Sequence, residues 1–370
     1  MTISTIIIFL LILGVIVFIH ELGHFVTAKF FGVKVEEFGL GFPPKIFGKK
    51  KGETEYTLNW IPLGGFVKIA GEDGENRDDP RSFGSKPVWQ RTLILSAGVI
   101  MNFLLAAALF SFVLFAKFPQ DISGVADKNL PANIDEIYVQ VNSVVAGSPA
   151  EEAGLEAMDR ILKIGDIEVD DTEDFENYSK THPDSVAAIT IQRGGETIDK
   201  EIFVRGNPPE GQGATGISIS RLAVVQYSAL GAIKEGFIYT ADMAYLIVLS
   251  FVALFRELLF TGGTSMEVSG PVGMVTMTQQ AAQLGVLVLI NFTALISINL
   301  AILNILPLPA LDGGRIVFLI AEKIKGRPVS QEFEAKIHNA GFMLLMLLMV
   351  IVTFKDVARL GIWERIVGMF

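Results

Sequence analysis

The chain has 370 residues, 51% of them hydrophobic, with a mean hydropathy of +0.48 and a formal net charge of −10. That apolarity, gathered into charge-free runs long enough to cross a bilayer core of about 30 Å, excludes a wholly soluble protein. The absence of cysteine excludes thiolate ligands, a cysteine nucleophile and disulfides, and leaves His, Asp and Glu as candidate metal ligands.

The first span is expected over residues 3–31. Ile3 to Ile19 carries no charge, and the segment lacks the basic start and small-residue cleavage site of a signal peptide, so it reads as retained. Within it, residues 17–26 read V-F-I-H-E-L-G-H-F-V. His20 and His24, four apart on a helix, can turn ring nitrogens toward one point, while Glu21 points about 100° away. In H-E-x-x-H the two imidazoles hold zinc and the glutamate serves as general base. A solvated helix face is the common alternative, but in a membrane helix a central charged group costs roughly 2.5–3.5 kcal/mol, which favours a functional reason.

Residues 32–91 hold ten Lys or Arg, which places this loop on the cytoplasmic side. Tyr56 to Ala70 alternates and contains Pro62 and Gly64-Gly65, as expected of a hairpin dipping into the membrane or of a plain cytoplasmic hairpin. A second span follows at 92–116. From Asp121 to Glu210 the chain holds 20 acidic and 7 basic residues, so this stretch alone carries −13 and the remainder +3, which marks a separate soluble domain. It reads as mostly β: Ile161 to Val169 alternates about Gly165-Asp166, and Ala188 to Val204 about Gly194-Gly195.

Met243 to Phe255 is a 13-residue apolar run between Asp242 and Arg256, short for a span and expected to be interfacial or re-entrant. The third span, 284–310, ends in Asn304-Ile305-Leu306-Pro307-Leu308-Pro309-Ala310-Leu311-Asp312-Gly313-Gly314. Prolines break the helix and paired glycines permit a tight turn, so Asp312 is either a third metal ligand or an ordinary helix-capping aspartate. A fourth span is expected at 338–355. The fold class is therefore a polytopic α-helical membrane protein of about four transmembrane helices, with an inserted β-rich domain and a membrane-associated β-hairpin. The expected divisions are 1–120, 121–221, 222–282 and 283–370.

HELGH in the first span together with NILPLPALDGG in the third resembles the site-2 protease family of intramembrane zinc metalloproteases, in particular bacterial regulators of envelope stress that carry a periplasmic PDZ domain. The likeness extends to Asn59-Trp60-Ile61-Pro62-Leu63-Gly64-Gly65-Phe66-Val67-Lys68, to Gly147-Ser148-Pro149-Ala150 with Ala153-Gly154-Leu155 and Asp159-Arg160-Ile161, and to Glu322-Lys323-Ile324-Lys325-Gly326. The resemblance implies a Zn2+ held by His20, His24 and Asp312, with Glu21 as base. It implies cleavage of single-pass membrane proteins, such as an anti-sigma factor or a remnant signal peptide, with Asn304 on the substrate backbone and the loop at Gly64 and Gly65 holding an opened strand.

It further implies residence in the bacterial inner membrane among lipid, and a PDZ-like domain on the extracytoplasmic side that takes a peptide or screens ectodomains. No nucleic-acid partner is expected. This sequence departs from the family where Val99 follows Ala97-Gly98 in place of proline, where Met158 stands in place of glycine, and in having room for about one PDZ module. Competing readings are an ion or proton transporter relaying through His20, Glu21, His24 and Asp312, which would predict related halves, and an inactive PDZ scaffold.

Overall fold

The computed structural model describes residues 2–72, 78–125, 130, 133–261 and 269–359, and the chain divides into two units, Phe112–Ala232 and the remainder. In the helical unit, α1 (Ile3–Phe30) begins where the Thr2 hydroxyl accepts the Thr5 N–H. The chain then forms β1 (Val35–Lys51) and β2 (Thr54–Ile69), followed by α2 (Val88–Phe115).

The hairpin folds over on itself. Glu37 to Leu40 pair with Lys68 to Gly65 on one side and with Glu55 to Leu58 on the other, while Lys45 to Lys51 pair with Asn59 to Thr54. The result is four lanes in the order 65–69, 35–40, 54–59 and 45–51, with 65–69 at an edge among the described residues. Ala28, Val33, Val35, Ile69, Ile94, Leu95 and Leu319 form the core that pins the base of this sheet to the helices.

The second unit comprises β3 (Gln120–Asp121), β4 (Ile134–Val144), α3 (Pro149–Glu152), β5 (Arg160–Ile164), β6 (Ile167–Glu168), α4 (Thr172–Thr181), β7 (Ser185–Arg193), β8 (Glu196–Val204) and β9 (Ile217–Val225). Strand order is β3-β9-β4-β5-β7-β8, with β6 pairing β5. The two expected hairpins are both present. Gly194 and Gly195 turn β7 into β8 with φ of +58° and +90°, which suits a tight two-residue turn. Val139, Val141, Ile161, Ile164, Phe175, Ile189, Ile191 and Ile202 fill the interior. Asp171 caps α4 reciprocally with Asp174.

The chain returns to the helical unit through α5 (Ala229–Thr261), α6 (Pro271–Leu284), α7 (Val286–Ile305), α8 (Asp312–Lys325) and α9 (Gln331–Arg359). Here the structure extends two elements beyond the sequence reading. The short apolar piece 243–255 lies inside one continuous 33-residue helix, because the residues before Asp242 extend the same helical run. The expected fourth span likewise begins earlier, in a 29-residue helix. By length and composition five described helices could cross a membrane: α1, α2, α5, α7 and α9. Residues 262–268 of the expected 222–282 division lie outside the described residues, as does the side chain of Leu63.

Candidate metal centre

α1 and α2 cross at two glycines. A Cβ on Gly23 would meet the Ala97 carbonyl oxygen at 2.4 Å, and one on Gly98 would meet His24 Nε2 at 2.5 Å and His20 Cε1 at 2.6 Å. Small residues at such a crossing let the backbones close up. Here the missing side chain of Gly98 also makes the space in which both imidazoles stand. Sequence reasoning named Gly98 only as part of a motif and missed this role; its signal was a glycine within a span otherwise rich in bulky residues.

Asp312 arrives from the turn between α7 and α8. It occupies the first position of α8, whose N-cap is Leu311, so it is not the capping residue. Cβ atoms on Gly313 and Gly314 would lie 2.2 Å and 2.3 Å from the carbonyl oxygens of Leu306 and Leu308. Only glycine lets α8 start this close to the end of α7.

His20 and His24 are buried, and the three residues bring one ligand atom each within 4.8 Å of one another. The separations are 3.1 Å for His20 Nε2 to Asp312 Oδ2, 3.5 Å for His24 Nε2 to Asp312 Oδ2, and 3.1 Å between the two Nε2 atoms. Tetrahedral ligands about 2.0–2.1 Å from zinc stand about 3.3 Å apart, so the triangle has the edge lengths of such a site.

The tautomers agree with this. His24 Nδ1 lies 2.8 Å from the Ile94 carbonyl oxygen, which can only accept, so Nδ1 carries a proton and the neutral ring turns the lone pair of Nε2 toward Asp312. His20 Nδ1 lies 3.4 Å from the Asn102 amide, whose Oδ1 is fully buried without a partner. Turning that amide sets Oδ1 against an Nδ1–H of His20 and satisfies both groups. Asp312 Oδ2 is also buried without a hydrogen-bond donor. Two lone pairs and a carboxylate oxygen facing one another repel unless a cation lies between them, so these residues fit a zinc ion.

Other predicted residues gather nearby. Asn304 places its amide nitrogen 3.4 Å from His20 Nε2. Gly65, in the edge lane of the sheet, passes so close to α1 that a Cβ there would lie 3.5 Å from Glu21 Cγ, while one on Gly64 would lie 3.8 Å from Val17.

The Peptidase family M50 model matches residues 8–348. The chain belongs to peptidase family M50. Membership makes it a zinc metallopeptidase. A Clostridium perfringens protein provisionally named a zinc metalloprotease is 38% identical, over 94% of this chain and 97% of its own. A Bacillus subtilis protein named regulator of sigma-W protease RasP is 31% identical, over 97% of this chain and all of its own. An Oceanobacillus iheyensis protein named zinc metalloprotease RasP is 32% identical over 96% and 99%. A crystal structure of the PDZ domain of an SdrC-like protein from Listeria monocytogenes covers 25% of this chain and 92% of its own, at 21% identity and a TM-score of 0.21.

Proposed function

We propose that this chain is an intramembrane endopeptidase that cuts the transmembrane segments of single-pass membrane proteins. The observation that carries the reading is the triangle of His20 Nε2, His24 Nε2 and Asp312 Oδ2, with edges of 3.1–3.5 Å. These three residues hold the zinc, which when bound lowers the pKa of a water and polarises the scissile carbonyl. Glu21, one residue past His20 on α1, takes the proton from the attacking water and returns it to the leaving amine.

A transmembrane helix conceals its own amides, so a substrate must open before it can be cut. The edge lane 65–69 passes beside Glu21, and its margin together with Gly64 and Gly65 is the rail along which an extended segment would add as a strand. Asn304 stands beside His20 and donates to a substrate carbonyl. The β-rich unit acts as a PDZ-like domain that takes a peptide or screens ectodomains, on the extracytoplasmic side of a bacterial inner membrane. An anti-sigma factor is one fitting substrate.

Four helices, α1, α2, α7 and α9, make the crossings. At one end of α2, Arg91 pairs with Glu322; at the other, the Ser111 hydroxyl contacts the Ile233 carbonyl near the start of α5. α6 also starts at that far end: its Gly273 N–H donates to Asp356 of α9, 18 residues or about 27 Å beyond His338. An upright α5 would descend about 42 Å from Ile233 to Thr261, whereas the chain from Thr261 to Ser269 reaches at most about 28 Å. α5 is therefore inclined along the outer interface. Cysteines introduced at Gly52 and Asp171 should label from opposite faces, and same-side labelling overturns this topology.

The deciding experiment uses purified protein in proteoliposomes with a helical reporter substrate. Wild type should bind about one zinc and cleave, His20→Ala should lose the metal, and Glu21→Gln should keep it without cleaving. Cleavage by Glu21→Gln removes the base assignment. Ion flux without proteolysis by the wild type favours the transporter.

A further inference from the structure

The turn that delivers Asp312 is held from outside by α9. The Ala310 N–H, two residues before Asp312, donates to His338 Nδ1 at 2.8 Å. Ala310 has φ of +73°, a left-handed conformation that strains an L-residue and persists only where its surroundings impose it. One helical turn further along α9, Gly341 presses against the same segment: a Cβ there would lie 2.3 Å from Pro309 Cβ and 2.9 Å from its carbonyl carbon and oxygen. The His338 ring also packs at 5.5 Å from Phe318 of α8, the helix that Asp312 begins.

We propose that His338 is a positioning residue that fixes Asp312 toward His20 and His24, acting as the acceptor that locks the Ala310 backbone. This rests on the reading of Asp312 as a zinc ligand. Pro307 and Pro309 remove two backbone donors from the turn, and without an acceptor on α9 the segment keeps only the Leu308 N–H bond to the Leu306 carbonyl at 2.7 Å and the long Leu311 N–H bond to the Leu308 carbonyl at 3.3 Å, neither of which holds Ala310 itself. Asp312 would then swing away from the imidazoles, since it follows that segment directly. The hydrogen bond also requires the tautomer of His338 with its proton on Nε2 and a free lone pair on Nδ1.

The test is zinc affinity by chelator competition on the full-length protein in detergent, alongside the thermal unfolding of zinc-stripped protein. His338→Leu keeps bulk but removes the acceptor; His338→Asn restores an acceptor at the δ position. Partners that orient metal ligands are typically worth 10–100-fold in affinity. His338→Leu should therefore bind zinc about 10–100-fold more weakly, and His338→Asn should return to within about threefold of wild type, with the zinc-stripped proteins melting alike. Wild-type affinity in His338→Leu overturns the proposal, as does an equal loss in both variants, which would mean packing alone. Asp312→Ala separates the two levels: if it retains full zinc affinity, the ligand assignment fails; if it loses zinc while His338→Leu does not, only the positioning role fails.

Discussion

The two units each bury a polar cluster drawn from distant parts of the chain, and the clusters are built oppositely. In the β-rich unit Asp159 is fully buried, and its Oδ1 and Oδ2 accept from Arg193 Nε and Nη2 at 2.6 Å each, while Oδ2 also accepts the Glu156 N–H at 2.8 Å. Arg193 completes its set with the Gly154 carbonyl and the Glu156 carboxylate. Donors meet acceptors throughout, as a structural network requires. In the helical unit, three groups that can each accept, His20 Nε2, His24 Nε2 and Asp312 Oδ2, converge on one point at 3.1–3.5 Å. The first cluster closes on itself as scaffold, and the second is the one that the proposed zinc would complete.

The largest expected effect follows from the open cluster. Glu21→Gln should lower cleavage of a helical reporter by roughly 10²–10⁴-fold with zinc content unchanged. Chelation provides the sharpest contrast between the units. Calorimetry of protein stripped of zinc should show the helical unit losing up to about 4 kcal/mol of ligand-linked stability relative to protein held at a thousandfold excess over Kd, with the β-rich unit unmoved. Equal responses in both units would erase the distinction.

The closed cluster breaks differently. Asp159→Ala strands part of the Arg193 guanidinium and should destabilise the β-rich unit by about 3 kcal/mol, read by denaturant unfolding, with zinc affinity retained. Met158 sits in this network's entry turn at φ +76°, a left-handed conformation that glycine adopts without cost. Met158→Gly should therefore stabilise the unit by about 1 kcal/mol.

The smallest effect lies at the surface. Lys29 at 2.6 Å and Arg81 hold the Glu53 carboxyl down from its ordinary value near 4.5 to about 2. A depressed carboxylate contributes above its unfolded pKa and is lost as pH falls through its folded one. Wild type should exceed Glu53→Gln slightly in unfolding midpoint near pH 6, and that margin should vanish as pH approaches 2.

The hairpins at Gly165-Asp166 and Gly194-Gly195, the long apolar helices α1 and α7 and the H-E-x-x-H face were legible because each is a local pattern. Helical period or turn chemistry alone produces them. The 33-residue extent of α5 was hidden, since a charge at Asp242 reads as a boundary in a hydropathy profile but does not interrupt a helix. The doubled pairing of Glu37 to Leu40 was also invisible, because alternation says which residues form a strand and not how many partners it takes. His338 lies outside every motif in the sequence, and nothing in its neighbourhood on α9 pointed to Ala310.

Composition and spacing by themselves determined that the chain enters a membrane, that any metal must be held by nitrogen and oxygen, and that His20 and His24 share a helix face. Only the tertiary structure decided that Asp312 completes their triangle, that Gly98 vacates the space for it, and that α9 braces the turn which carries it. The reason is one of range: a helix fixes the relation of residues a few positions apart, whereas 288 positions between His24 and Asp312 are bridged by packing, which no local pattern encodes.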